Sequence, residues 1–334
     1  MSAFFKVSGI VLVIILVLIY GTGLILHKSY SYKQVKYGVT FSPKDASSLN
    51  LDWKSTYIKI LDDLKAKNLR LPSYWDVIED KENIFDFSQI DFMLMEAEKR
   101  GAKIILVLGV RQPRWPECHI PAWARKLTVA DRQNAILQFV NKIVQRYKDN
   151  TALSTWQVEN EPFLSSFGQG CDNPDADFLK KEVNLVKSLS NKTIILTDSG
   201  ELGFWIIPMQ FSDVFGTTLY RDVYSPIFGY ATFPYLPYFY NIKSFLVRNL
   251  FAKENSKTII IELQAEPWSR DNNLLHTATD KQVKLFPLEK LKQNIIFGKD
   301  TGFDENYLWG VEWWYFMAQN NHPEYLEYAK TIFK

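Results

Sequence analysis

The sequence predicts an α/β protein folded as a (β/α)8 TIM barrel, preceded by one N-terminal transmembrane helix. Three observations lead there. Eight short runs rich in apolar or β-branched residues recur along the chain, most of them followed by helical sequence, as when helices cross between parallel strands. Several runs are apolar throughout, as in strands covered on both faces. Two of them end on glutamates about a hundred residues apart, the spacing of three strand–helix units at roughly 30 to 40 residues each. An open doubly wound sheet is the structural alternative, but no glycine-rich phosphate turn follows the first run.

The chain divides into a tail (1–6), an apolar segment (7–26), a polar tether (27–36) and one domain (37–334). Residues 7–26 carry no charge, which is long enough to cross a hydrocarbon core as a helix. Gly21-Thr22-Gly23 offers a small-residue cleavage site, yet Leu24-Ile25-Leu26 prolongs the apolar run past it, so an uncleaved signal anchor is expected over a signal peptide. Lys6 on one side and Lys28, Lys33 and Lys36 on the other leave orientation unsettled by charge. The tether spans roughly 30 Å at full extension and would hold the barrel near a bilayer.

The strand runs begin near Tyr37, Lys67, Lys103, Leu153, Lys192, Val214, Lys257 and Asn306, the last read through to Trp313. Between them, residues 128–147 show the strictest helical pattern. Ile136, Phe139, Val140, Ile143, Val144 and Tyr147 recur at steps of three and four, with Thr128 as N-cap. Residues 52–67, 88–100, 176–189, 287–297 and 323–333 fit less strictly. Two connections are long. Residues 112–126 carry Trp115, Cys118, His119 and Trp123, while residues 224–240 have Tyr or Phe at almost every second position. Long loops at the C-terminal face of a barrel build substrate walls, and the second could also rest on a membrane surface.

Composition narrows the chemistry. With 39 Lys and Arg against 37 Asp and Glu the charge is near zero, and no basic stripe indicates a nucleic-acid partner. Four histidines, none at His-x-x-x-His spacing, and no cysteine pair at ligand spacing argue against a metal, and no cofactor is expected. Ten tryptophans and seventeen tyrosines suit stacking on flat apolar faces such as those of sugar rings, although packing explains many of them. Cys118 and Cys171 fall in loops after consecutive strands, where a disulfide would mean an oxidising compartment outside the cytoplasm. Two free thiols are the alternative.

Glu161 ends Trp156-Gln-Val-Glu-Asn-Glu-Pro162, and Glu262 ends the run Ile259-Ile-Ile. Carboxylates at the C-terminal ends of barrel strands face each other across the mouth, one placed as general acid and the other as nucleophile for cleaving a glycosidic bond. Pro162 breaks the strand, so Asn160 and Glu161 escape strict alternation between faces. Arg70 ends the second run and Tyr220 the sixth, positions from which both would hydrogen-bond a carboxylate nucleophile. Glu266 is a weaker candidate nucleophile, four residues past the strand end. Glu201 and Glu312 would contact substrate or be solvated.

These residues resemble the clan A retaining glycoside hydrolases, most nearly the cellulase-like family 5 or a sister family. That pattern pairs Asn and Glu at the end of strand four with Glu at the end of strand seven, matched by Asn160, Glu161 and Glu262. It also has an arginine after strand two, a tyrosine after strand six and a tryptophan near the end of strand eight, matched by Arg70, Tyr220 and one of Trp309, Trp313 or Trp314, of which Trp313 is preferred. Family 5 usually carries histidines after strands three and six, where this chain has Arg111 and Leu219-Tyr220. The resemblance implies Glu161 as acid/base, Glu262 as nucleophile and Asn160 on the sugar 2-hydroxyl. Trp115 and Trp268 join Trp313 as expected substrate-binding residues.

The expected function is a membrane-anchored, extracytoplasmic retaining glycosidase acting on a β-linked oligo- or polysaccharide by double displacement. A transglycosidase, or an inactive barrel serving as a surface carbohydrate-binding module, are the alternatives.

Overall fold

The computed structural model describes residues 34–225, 229–252, 257–268 and 274–333, together with Gly21. The expected membrane segment, residues 7–26, lies outside the described residues apart from Gly21. Among the described residues no helix is long and apolar enough to cross a membrane.

Ten strands are described: β1 (Lys36–Thr40), β2 (Asn68–Pro72), β3 (Lys103–Leu108), β4 (Leu153–Val158), β5 (Thr193–Asp198), β6 (Val214–Leu219), β7 (Asp222–Ser225), β8 (Gly229–Thr232), β9 (Lys257–Gln264) and β10 (Glu305–Trp309). All but β7 and β8 form one closed parallel barrel, in which β10 returns to pair with β1 from Lys36 opposite Glu305 to Thr40 opposite Trp309. The (β/α)8 reading of the sequence holds. Strand starts therefore share one rim and strand ends the other.

Alternation sorts the side chains into two layers. Ile105, Ile195, Ile259, Ile261 and Tyr307 cluster inside the barrel, while Ile104, Leu106, Leu108, Ile260 and Leu263 pack outward beneath the helices. Glycines make room for the large interior rings. A Cβ on Gly38 would stand 2.5 Å from the Tyr307 ring, and one on Gly216 would stand 3.0 Å from Ile261.

The helices follow the expected stripes. In Val129–Tyr147 the six predicted residues are all buried, and Thr128 Oγ1 accepts the Asp131 N–H at 3.2 Å. Two segments depart from the sequence reading. Gly310, with φ of 135°, ends the eighth barrel strand at Trp309, and Val311–Gln319 is helical, so the residues read as the continuing strand turn instead onto a helix. The described part of residues 224–240 is no open loop: β7 and β8 pair antiparallel beyond β6, and a helix runs from Pro237 to Phe251.

Cys118 and Cys171 are disulfide-bonded, with Cα atoms 5.3 Å apart, tying the loop after β3 to the loop after β4. The bond closes 53 residues of chain. On chain-entropy grounds such a closure contributes about 4 kcal/mol. The double variant Cys118→Ser, Cys171→Ser should therefore unfold at clearly lower denaturant concentration than the parent, and an unchanged midpoint would show that the bond contributes nothing.

Candidate active site

The backbone departs from regular strand at the end of β4. Glu159 and Glu161 both adopt left-handed backbone, with φ of 56° and 45°, a conformation costing a non-glycine residue of order 1–3 kcal/mol. The surroundings hold it in place. The buried Glu159 carboxyl accepts the N–H groups of Val110 and Arg111 at 2.8 and 2.5 Å, and Gly109 lies so close that any Cβ there would strike it. Asn160 N–H donates to Arg111 O at 2.9 Å, and Glu161 N–H to Thr197 Oγ1 at 2.8 Å. Double reversal of φ lets the consecutive residues Asn160 and Glu161 both serve the mouth.

A second irregularity places Glu262. Against β6 the register passes from Ile260 directly to Glu262, and against β10 from Ile260 to Leu263. Such a bulge adds a residue and re-aims the side chains beyond it. Ile261 points into the barrel, so strict alternation would send Glu262 outward under the helices; the bulge turns it to the mouth instead.

There the buried Arg70 guanidinium meets it. Nη1 donates to Glu262 Oε1 at 2.6 Å, Nη2 to Asn160 Oδ1 at 2.6 Å and Nε to Gln157 Oε1 at 2.7 Å. The second oxygen of Glu262 accepts Tyr220 OH at 2.9 Å. Tyr220 is braced in turn by Glu201, whose Oε1 accepts both the Tyr220 N–H at 2.9 Å and Tyr240 OH at 2.6 Å. Burial, then the charge of Glu262, pushes the Tyr220 phenol well above its ordinary range, so it stays a donor.

Glu161 is set apart from Glu262 by its environment. Its Oε1 accepts Thr218 Oγ1 at 3.1 Å, and Thr218 is the residue paired with Glu262 across the β6–β9 ladder. Burial raises the Glu161 carboxyl well above its usual range, the charges of Glu262, Glu117 and Asp198 raise it further, and Arg111 opposes them. These influences favour the protonated form of Glu161, the form a general acid needs. Glu117, which the sequence reading passed over, is a third buried carboxyl here: its Oε2 accepts Asn160 Nδ2 at 3.1 Å, and burial pushes it up to about 8, with Arg111 opposing and Glu262 adding.

Aromatic rings line the rim in an unbroken series. Trp115 meets Phe167 at 5.6 Å, Phe167 meets Trp268 at 5.7 Å, Trp268 meets Tyr220 at 5.2 Å and Tyr220 meets Trp309 at 6.4 Å between centroids. Trp115 and Trp268 thus stand at the mouth. Trp313 does not: it is fully buried against Tyr325 and Phe286 and donates Nε1–H to Gln282 Oε1 at 2.7 Å. The helix beginning one residue after Gly310 rotates it into the outer layer, and Trp309 takes the mouth position.

Glu266, read as an alternative nucleophile, and Glu201 and Glu312, read as substrate contacts or solvated, are all engaged within the protein. Glu266 pairs with Arg114, which also bonds Glu312 at 2.8 Å and lies 4.3 Å over the Trp309 ring. Glu312 further accepts the Ser42 N–H at 2.5 Å, so neither Glu312 nor Glu201 is solvated. His119 braces the same loop. Its Nε2 faces Arg114 O at 3.2 Å, which only a protonated nitrogen can bond, leaving Nδ1 to accept from Lys44 Nζ at 3.0 Å. Among the described residues no group of three or more His, Cys, Asp or Glu could hold a metal ion.

The glycoside hydrolase family 42 profile, described as Beta-galactosidase, matches residues 52–193. That span carries Arg70, Asn160 and Glu161, while Tyr220 and Glu262 lie beyond it. Beta-galactosidase LacZ of Lactobacillus acidophilus is 23% identical over 163 residues, covering 42% of this chain and 24% of that protein. Probable mannan endo-1,4-beta-mannosidase A of Aspergillus clavatus is 26% identical over 165 residues, covering 45% of this chain and 43% of that one. The chain therefore spans less than half the length of these relatives. Among solved structures, GH5_18 from Streptomyces cattleya in complex with GlcNAc superimposes with a TM-score of 0.56 at 11% identity, covering 83% of this chain and 70% of that one. Beta-galactosidase from Bacillus circulans sp. alkalophilus gives 0.50 at 14% identity, covering 83% and 50%. At such identities these two show the shared barrel fold.

Burial raises the Glu201 carboxyl from 4.5 to about 7. The folded state then holds its proton more tightly than the unfolded state, so stability is greatest below the unfolded value and falls as pH rises from about 4.5 to 7. The loss reaches roughly 3 kcal/mol. Glu201→Gln keeps an acceptor for Tyr220 and Tyr240 without the titration, and denaturant unfolding of the variant at a series of pH values should show a flatter decline across that window.

Proposed function

We propose that this chain, related to the clan A glycoside hydrolases through its family profile and curated relatives, is a retaining β-glycosidase acting on an oligo- or polysaccharide. The observation that carries the proposal is the contrast between its two glutamates. Glu262 has its oxygens taken by a guanidinium and a phenol, whereas Glu161 has a lone hydroxyl, that of Thr218, on its Oε1 and is pushed toward its protonated form by burial and by neighbouring carboxylates.

Those environments divide the labour of double displacement. Glu262 attacks the anomeric carbon as Glu161 passes its proton to the departing glycosidic oxygen, so no alkoxide is expelled and a covalent glycosyl-enzyme forms. Charge leaves Glu262 in that step, and Glu161, now the base, takes a proton from the water that attacks next. Arg70 and Tyr220 fix the angle of Glu262 throughout. The rim of Trp115, Phe167, Trp268 and Trp309 supplies apolar faces for sugar rings on either side of the cut bond. The names of the relatives point to β-galactosides and β-mannans as the first substrates to try.

An extracytoplasmic location follows from two supports: the uncharged run 7–26, which we read as a signal anchor, and the Cys118–Cys171 bond, which an oxidising compartment preserves. Protease added to intact cells should digest the domain; protection until lysis would overturn this location.

The two glutamates are distinguished by leaving group. Glu262→Gln should lose turnover on every substrate. Glu161→Gln should lose on the order of 10²- to 10⁴-fold on unactivated saccharides yet still form the glycosyl-enzyme from aryl glycosides with good leaving groups. Equal losses across a leaving-group series, or an inverted anomeric product by NMR, would sink the double displacement.

A further inference from the structure

Glu117 sits in the mouth although nothing in the two-glutamate mechanism requires it. It is 3% exposed, and its φ of 69° is left-handed. Strain of that kind persists where the surroundings over-determine a residue, and it gathers at functional sites. Here the surroundings are explicit. Glu117 N–H donates to Arg114 O at 3.0 Å, Glu117 O accepts the Gln112 N–H at 2.8 Å, the next residue is disulfide-bonded to Cys171, and Gly168 is packed so closely that a Cβ on it would lie 3.2 Å from that of Glu117.

All of this aims one carboxyl oxygen at one amide. Asn160 Oδ1 is committed to Arg70 Nη2, which fixes the amide's orientation and turns Nδ2 to Glu117 Oε2. The same guanidinium holds Glu262. The Asn160–Glu117 contact therefore lies one side chain away from the atom that attacks the anomeric carbon. The resemblance implies that Asn160 meets the hydroxyl on C2, the carbon beside the one attacked. A hydroxyl both donates and accepts, so it can enter an N–H···O contact, take the amide proton, give its own to the carboxyl oxygen and leave neither group unpaired.

We propose that Glu117 closes a clamp on the 2-hydroxyl that the resemblance assigns to Asn160, making Glu117 a substrate-binding residue that selects a glycone with that hydroxyl free. This rests on the glycosidase reading of the mouth and deepens it. Hydrogen bonds to the 2-hydroxyl tighten as the sugar approaches an oxocarbenium ion, so the clamp acts on turnover as well as on binding.

The test is a cycle between residue and hydroxyl. Wild type, Glu117→Ala and Glu117→Gln are assayed on 4-nitrophenyl β-galactoside, β-mannoside and β-glucoside and on the 2-deoxy counterpart of each. Glu117→Ala should lower kcat/KM about 10- to 100-fold on the 2-hydroxy sugar that wild type accepts and leave the 2-deoxy sugar nearly unchanged. Glu117→Gln, which keeps an accepting oxygen, should lose less. An equal loss on both members of a pair would show that Glu117 acts only through structure and would overturn the clamp. If wild type turns over no member of the panel, the glycosidase reading fails on its own. Calorimetric binding of the free sugars and their 2-deoxy forms to wild type and Glu117→Gln then decides the clamp, which falls if the hydroxyl makes no difference.

Discussion

One guanidinium organises the mouth of this barrel. Arg70 is fully buried, and taking its charge out of water costs several kcal/mol unless each donor finds a partner. It finds three, on two other strands: Gln157 and Asn160 from the end of β4 and Glu262 from β9. Because a buried ion pair stripped of one partner typically loses about 3–5 kcal/mol, the three strand ends hold together as one unit. Thr218 and Tyr220 extend that unit to β6, and Glu201 ties it to the loop after β5. A charged network inside a protein is a poor source of stability, but it fixes geometry, and fixed geometry is what a displacement at a sugar carbon needs.

The carboxyls reach that unit through two departures from regular strand. Left-handed backbone at Glu159 and Glu161 and the bulge at Ile261–Glu262 each spend stability to aim a side chain. The first lies just past the end of β4, and the second lies in the last stretch of pairing of β9, which runs on only to Gln264. The barrel beneath them is closed and well packed, with large rings set against glycines, and this body offsets the strain at its mouth.

This division explains what could be read in the sequence. The eight strands, the main helices and the order of Arg70, Asn160, Glu161, Tyr220 and Glu262 were visible because they depend on local apolar period and on position within a repeating unit. The strand-eight tryptophan was not, since the choice between Trp309 and Trp313 turns on where Gly310 ends the strand, and both residues look alike on a hydrophobic pattern. The antiparallel pairing of β7 and β8 was hidden by an aromatic alternation that suits loop and strand equally. Glu117 gave no signal at all: it sits in an irregular loop, and its closeness to Asn160 is created by a disulfide and a glycine contact more than fifty residues along the chain. Arg114 was equally mute, because its partners Asp45, Glu266 and Glu312 come from three distant segments.

The parallel closure of the barrel also sets the start of the first strand and the mouth on opposite rims. β1 starts at Lys36 on the rim of strand beginnings, and Glu161, Glu262 and the ring of aromatics occupy the rim of strand ends, a strand's length of about 16 Å away. The chain thus enters the barrel at the rim opposite its mouth. On the anchored reading proposed above, the site would open on the side away from the tether, leaving room for a long glycan to cross it.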